Sequence, residues 1–140
     1  MATKNKLCYM IADNFMVYYK AHVYHLNVTG PNFAQYHELF GEVYDKLWDW
    51  HDTLSEQFRQ SGEMYPLTLK EVLDESAVSD DAVGKSVAHM FDSLRGDLSK
   101  LLDSAEAIYE TADPALETVI GDYCADLKKL HWKIDATLRK

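Results

Sequence analysis

Residues that interrupt helices are scarce in this sequence, and they divide it into a few long segments. The 140 residues include six glycines and three prolines, whereas an all-β fold needs a turn about every 8–12 residues. Gly30 and Pro31 separate a first segment, Lys6 to about Asn27, from a second that runs from about Phe33 to Gln60 with one glycine, Gly41. Helices of these lengths would extend about 30–40 Å at 1.5 Å per residue. The chain therefore predicts long helices rather than a sheet.

Both segments carry the signals of amphipathic helices. Asn32 is the expected N-cap of the second helix, and Ser61 with Gly62 is its expected C-cap. In the first segment, apolar side chains and two histidines follow the three-to-four-residue spacing of one helical face. These positions are Leu7, Met10, Ile11, Phe15, Val17, Tyr18, Ala21, His22 and His25.

The second half of the chain predicts two more long helices and a short one. Thr68 precedes LKEVLDE, which is typical of a short capped helix in the connection after the second helix. A third long helix is expected from about Ser79 to Thr111, and a fourth from Asp113 to about Leu138, with proline at its first position. Together these elements predict an all-α four-helix bundle with a short extra helix in the crossover between the second and third helices. We expect one domain, residues 1–140.

Composition and charge exclude several classes of protein. Apolar residues make up 47% of the chain, enough for a packed core. The net charge of -9 disfavours a broad basic face for nucleic acid and suits metal cations better. Cys8 and Cys124 form no CxxC or zinc pattern, so we interpret both as buried thiols in a reducing compartment. No signal-peptide core and no run of about 18 apolar residues is present, so we expect a cytoplasmic protein without a membrane partner.

The end of the first predicted helix and one side of the second carry groups that bind metal ions. His25 precedes His37 by twelve residues, and His37 precedes Asp52 by fifteen, with Glu56 one turn beyond. At about 100° per residue, His37, Asp52 and Glu56 share one side of the helix. Imidazole and carboxylate donors without a thiolate suit iron, and also zinc or manganese. We therefore expect His25, His37, Asp52 and Glu56 to bind metal.

The helix is too long for these residues to meet within one chain. His37 and Asp52 are separated by about 22 Å along the axis at 1.5 Å per residue. If two copies of this helix pack antiparallel about a twofold axis, the histidine end of one faces the carboxylate end of the other. The spacing therefore predicts two equivalent metal sites at the interface of a homodimer.

The residues around these ligands resemble the signature of the Dps mini-ferritins. The resemblance lies in His25-LNVTGPNFAQY-His37-Glu, then Asp52-TLS-Glu56 followed by RQSG, and in DLKKLHWKI near the C-terminus. It implies a ferritin-like subunit of a hollow shell of twelve copies. It also implies a ferroxidase that binds iron(II) between twofold-related subunits, oxidises it preferentially with hydrogen peroxide, or with oxygen, and stores ferric mineral. His25 and His37 would come from one subunit, and Asp52 and Glu56 from its neighbour.

The chain departs from the family pattern at Gly41, where an acidic residue four positions after the second histidine is usual. Glycine inside a helix costs about 1 kcal/mol relative to alanine, so its presence indicates either close packing or room for another ligand. Candidate replacements are His22, on the same face as His25, and Asp45 and His51. If none of them fills the vacant place, the alternative function is a Dps-like shell or scaffold with a structural metal site and little turnover. A helical bundle that binds a partner protein would explain the helices and not the ligand spacing.

Other residues receive weaker assignments. Family members that coat DNA often carry a lysine-rich N-terminal extension, whereas this chain has Lys4 and Lys6 before its first helix, so DNA binding is not expected. The family tryptophan after the first histidine is Leu26 here, and Trp48 or tyrosines could replace it near the metal. We interpret His89 and His131 as structural or exposed. The three tryptophans are expected to anchor the core or an interface; they are Trp48, Trp50 and Trp132. Three acidic residues of the fourth helix are expected to line either an iron-entry pore or a solvated helix face; they are Glu117, Asp122 and Asp126.

Overall fold

A computed structural model describes residues 5–81 and 83–139, and all regular structure in this part of the chain is helical. The helices are α1 Lys6–Asn27, α2 Phe33–Gln60, α3 Leu69–Glu75, α4 Val87–Tyr109 and α5 Pro114–Leu138. Four long helices, with the short α3 in the crossover between α2 and α4, confirm the predicted fold class. Lys4, which entered the expectation about DNA, lies outside the described residues.

The bundle consists of two helical hairpins packed against each other. The α1–α2 and α4–α5 hairpins meet because α1 also packs on α4, and α2 also packs on α5. Large apolar side chains from all four helices fill the space between them. The largest fully buried ones are Tyr24, Tyr123, Phe40, Phe58, Phe91, Met10, Ile11, Leu47, Leu54, Leu94, Leu98 and Leu101. None of the described helices is long and apolar enough to cross a membrane.

Side chains at the helix ends explain most boundaries. Asn5, Thr68 and Asp113 each accept a hydrogen bond from the backbone N–H three residues ahead, at 3.1, 3.3 and 2.9 Å. The predicted end of α2 is confirmed, since Ser61 occupies the C-cap and Gly62 has φ 98. Asn32 occupies the N-cap position of α2, as predicted. It adopts φ 67 after the Gly30-Pro31 turn and makes no capping hydrogen bond.

The predicted start of the third long helix at Ser79 is also wrong. This helix, α4, begins at Val87, and its cap is Ser86, whose side chain accepts the N–H of residue 89 at 3.2 Å. The acidic residues before it do not cap a helix, because Asp81 faces the ammonium of Lys20 at 3.7 Å and the same Lys20 donates to the Ser79 carbonyl at 3.0 Å. These tertiary contacts hold the connection against α1.

Buried polar groups fix the register of α1 against its neighbours. Asn14 donates to the Leu47 carbonyl at 2.9 Å and accepts the Tyr123 hydroxyl at 2.8 Å, so one side chain joins α1 to α2 and α5. Lys20 and Asp97 form an ion pair of 2.7 Å in which both side chains are almost fully buried. Unpaired groups of this kind are costly inside a protein, so α1 cannot slide along the bundle without losing these contacts.

The predicted buried thiols are confirmed for one cysteine only. Cys8 lies in the core, whereas Cys124 is half-buried on α5. Burial still raises the pKa of the Cys124 thiol, which keeps it protonated and weakly nucleophilic.

Candidate metal centre

The two histidines of the motif lock each other in place across the α1–α2 turn. The rings of His25 and His37 stack with centroids 3.6 Å apart and planes 19° apart. His25 Nδ1 lies 2.7 Å from the His37 carbonyl oxygen, and His37 Nδ1 lies 2.7 Å from the His25 carbonyl oxygen. A carbonyl oxygen only accepts, so each Nδ1 donates and the hydrogen positions follow from this pattern. With Nδ1 as the donor, the neutral form of each ring has its lone pair on Nε2, the arrangement typical of histidines that bind metals.

Gly41 has a steric reason to be glycine. A Cβ atom built at this position would lie 3.3 Å from both Cε1 and Nδ1 of His25. The His25 ring thus packs so closely on Gly41 that it would have to shift by a few tenths of an ångström to admit a side chain there. Of the two explanations for this glycine, close packing is the one that the structure displays.

Two exposed carboxylates, Asp52 and Glu56, lie one turn apart towards the C-terminal end of α2. Protonated Glu56 can donate a hydrogen bond to the Asp52 carboxylate, and this bond together with the negative charge of Asp52 raises the pKa of Glu56 above the usual range. Asp52 also lines a shallow surface pocket with Trp48, Asp49 and His51. Two carboxylates one helical turn apart are well placed to bind one positive ion together.

The structure brings the ligands together as two pairs and keeps the pairs apart. His25 contacts His37 at one end of the exposed α1–α2 face, and Asp52 interacts with Glu56 at the other. Among residues 5–81 and 83–139, no three His, Cys, Asp or Glu side chains converge on one ion position. Each pair alone offers too few donors for a structural or catalytic ion, which usually has three or four protein ligands.

The candidate replacements for the missing carboxylate lie in different surroundings. His22 stacks on Tyr44 with centroids 4.3 Å apart, and its ring is 6.2 Å from that of His25. Asp45 is exposed and lines the same surface pocket as His25 and Gly41. His51 lies near Asp52; burial lowers its pKa, and its Nδ1 has no hydrogen-bond partner among the described residues. Asp45 is the carboxylate among these three candidates.

Cross-helix ring contacts, which the sequence reasoning missed, join these residues. Phe15 contacts His51, Tyr18 contacts Trp48, and His22 contacts Tyr44, at centroid distances of 5.2, 5.1 and 4.3 Å. His25 against Gly41 is the next pair in the same register. We call these four pairs the α1–α2 ladder. The sequence contains a signal for these pairs. Steps of three and four residues lead forwards along α1 from Phe15 to His25, and matching steps lead backwards along α2 from His51 to Gly41.

The remaining predicted residues lie away from the ligand pairs. His89 is exposed beside Asp81, and His131 is half-buried. Trp50 is half-buried and donates to Asp126 at 2.8 Å, as expected of an anchor. Trp48 and Trp132 are exposed in the single chain, as are Leu26, Glu117 and Asp122. Asp126 accepts this bond from Trp50. A single chain does not test a pore between subunits, so the acidic pore stays a prediction.

Comparison with known proteins identifies the family. The family model described as a ferritin-like domain matches residues 4–140. The "DNA protection during starvation protein" of Brevibacillus brevis is 32% identical over 132 residues, which cover 91% of this chain and 89% of that protein. The chain belongs to the Dps mini-ferritins. The crystal structure of a Dps protein from Bacillus brevis has a TM-score of 0.89 at 30% identity and covers 96% of this chain and 93% of its own. Dps from Staphylococcus aureus gives 0.90 at 28% identity, with 96% and 93% covered.

Membership of the Dps mini-ferritins confirms the resemblance carried by the histidine and carboxylate motifs. The match extends over nearly the whole chain, so it includes the crossover helix α3 and the C-terminal helix α5. As a Dps protein, the chain departs from the usual pattern at Gly41, where the His25 ring fills the position.

Proposed function

We propose that two copies of this chain pair about a twofold axis and that each of two equivalent sites binds iron(II). His25 and His37 of one copy and Asp52 and Glu56 of the other are the proposed ligands. Twelve such subunits would form a hollow cytoplasmic shell in which the oxidised iron is stored. The observation that carries this proposal is the mutual lock of the histidines, which uses Nδ1 of each half-buried ring and leaves Nε2 of each ring outside the lock.

The donor set fits iron. Neutral imidazole nitrogens with carboxylate oxygens and no thiolate suit iron(II), and open coordination positions allow redox chemistry. Zinc and manganese suit the same donors and would compete for the site. Iron is here the substrate, and the chain supplies ligands, charge and orientation.

The exposed face of α1 and α2 supports pairing with a second copy. Tyr19, Trp48 and Leu26 are 55%, 53% and 66% exposed on these two helices. Large apolar side chains clustered on one surface mark an interface more often than a solvated face. Antiparallel pairing of this surface would bring each histidine pair to a carboxylate pair, which neither copy can do alone.

The proposed reaction is the oxidation of two iron(II) ions by one hydrogen peroxide. Two electrons pass from the irons to peroxide, two protons are taken up, and the products are two iron(III) ions and two waters. The carboxylates stabilise the increase in positive charge, and the locked histidines hold their rings in place while the metal changes charge.

The test is complementation between two inactive variants. His37→Ala removes the histidine end of every site, and Asp52→Ala removes the carboxylate end, so either variant alone should oxidise iron(II) at the buffer rate. In a random co-assembly, half of the pairs are mixed and each mixed pair holds one intact site, so oxidation above the buffer rate should return, up to about a quarter of the wild-type initial rate. A site built within one chain would recover nothing.

The matched control is the double variant His131→Ala, Asp103→Ala, which removes the same residue types from α4 and α5 and should keep the wild-type rate. Sedimentation must give all proteins the same assembly state. Wild-type oxidation no faster than in buffer would refute the ferroxidase and favour the second candidate function. That candidate is a shell with a structural metal site, which the absence of a carboxylate at Gly41 supports.

A further inference from the structure

We propose that Tyr44, Tyr18 and Trp48 form an electron-transfer path along each subunit, joining the two iron sites to which that subunit contributes. This inference rests on the proposed function, because it assigns a role to residues between the two ends of that function's site. The path runs through the α1–α2 ladder.

The rings form a continuous series from one ligand pair to the other. The centroid of Tyr44 lies 5.1 Å from that of His25 and 6.3 Å from that of Tyr18. Tyr18 lies 5.1 Å from Trp48, which lies 6.5 Å from His51, the residue before Asp52. Centroid distances of 4.5–7 Å are those of aromatic pairs in contact. No saturated segment therefore interrupts the series between the two ends.

The ends of the series open on the two halves of the proposed sites. Tyr44 lines the surface pocket that His25 and Gly41 also line. Trp48 lines the pocket of Asp52. At either end of the series, an oxidisable ring therefore lies beside the pocket that the proposed ligands line, where it can give an electron to the site or take one from it.

The central ring has a proton acceptor. The hydroxyl of Tyr18 lies 3.5 Å from His22 Nδ1. When Tyr18 gives up an electron, its phenol proton passes to Nδ1 of His22 in the tautomer that carries its own proton on Nε2, and it returns when the ring is reduced. The ring is therefore restored after each cycle, and no proton has to leave the helix pair.

The path matters because each site lacks one carboxylate. A site that holds a single iron(II) can give peroxide one electron, whereas reduction of peroxide to two waters needs two. In our proposal, the iron at one end supplies the first electron and the nearby ring supplies the second. The iron(II) at the other end of the same subunit then reduces the oxidised ring. The balance is one peroxide, two protons and two iron(II) giving two waters and two iron(III), with the rings unchanged.

The first test uses the assembled protein without iron. Azide radicals from pulse radiolysis oxidise tryptophan, and absorption then follows the conversion of the tryptophanyl radical to a tyrosyl radical. Wild type and the matched controls Trp132→Phe and Tyr36→Phe should show this conversion. Trp48→Phe and Tyr18→Phe, which keep an aromatic ring, should lose the share of it that passes along the path. Equal tyrosyl yield in all five proteins would overturn the path, whatever the protein does with iron.

The second test asks whether the iron sites use the path. Protein loaded with iron(II) at half of its sites is mixed with peroxide and frozen for electron paramagnetic resonance. Wild type should retain a tyrosyl signal at half loading, and this signal should disappear at full loading. The double variant Tyr18→Phe, Trp48→Phe should bind iron(II) with the affinity of wild type and should not produce the signal. A signal of equal size in the double variant would overturn the proposal. Failure of wild type to oxidise iron at full loading would instead refute the proposed function, and the metal-free test would still decide the path.

Discussion

Substitution of Gly41 by alanine should separate the stability of the bundle from its affinity for metal. Alanine in a helix is favoured over glycine by about 1 kcal/mol. Its Cβ would lie 3.3 Å from two atoms of His25, so the ring must shift by a few tenths of an ångström. That shift strains the 2.7 Å hydrogen bond from His25 Nδ1 to the His37 carbonyl, a bond worth about 0.5–1.5 kcal/mol. The two effects oppose each other, so the free energy of unfolding should change little.

Metal affinity should fall, because the helix propensity of alanine does not compensate for the displaced His25 ring when a metal binds. Loss of a hydrogen bond that orients a metal-binding histidine lowers affinity by about 10–100-fold. Anaerobic calorimetric titration with iron(II), and with zinc as a redox-inert ion, measures this change for Gly41→Ala. Urea unfolding at a fixed subunit concentration measures stability.

Gly96→Ala is the matched control for this experiment. Gly96 is an exposed glycine within α4, and a Cβ atom added there would meet no atom within 4 Å beyond its own helical turn. It should gain about 1 kcal/mol in full and bind metal like wild type. If Gly41→Ala gained as much stability as Gly96→Ala and kept wild-type affinity, the close contact between His25 and α2 would not be what holds the ligand.

Three further predictions concern folding. Lys20→Met should lower the free energy of unfolding in urea by about 3–5 kcal/mol, because it removes the partner of the buried Asp97 carboxylate. The double variant Lys20→Met, Asp97→Leu should recover most of that loss. A Lys20→Met variant as stable as wild type would contradict this prediction. Burial lowers the pKa of His51, so the unfolded chain binds its proton first and the stability of metal-free protein should fall as pH drops below about 6.5. His51→Gln should reduce that pH dependence, and identical slopes would count against it. Asp113→Ala should cost about 1 kcal/mol by removing the N-cap of α5, measurable as a lower urea midpoint.

Local signals explain how much of the fold the sequence predicted. The bounds of α1, α2, α3 and α5 agree with the prediction because caps and turn residues lie next to them in sequence. The start of α4 was misplaced because the acidic residues near Asp81 are typical of a helix N-terminus, yet Lys20 holds Asp81 from a distant helix. A pattern within a segment carries no information about a partner 61 residues away.

The separation of the candidate ligands along α2 could be predicted from the sequence, and their contacts could not. Spacing and helix length were enough to predict that His25 and His37 lie far from Asp52 and Glu56. The mutual lock of the histidines and the α1–α2 ladder depend on how the two helices are aligned, which Asn14 and the buried core fix. The fit of the His25 ring over Gly41 also requires that alignment, so the sequence left two explanations for the glycine.

The lock between the histidines also completes a helix. The last four carbonyls of an α-helix have no partner within it, and α1 ends at Asn27, so the carbonyl of His25 is one of them. His37 supplies the missing donor. A lineage that ceased to handle metal would still lose folding stability on replacing His37, and selection for a well-formed hairpin would preserve the residue. In relatives of this chain, a retained histidine pair is therefore not by itself a sign of an active metal centre, because the same pair also completes the α1–α2 hairpin.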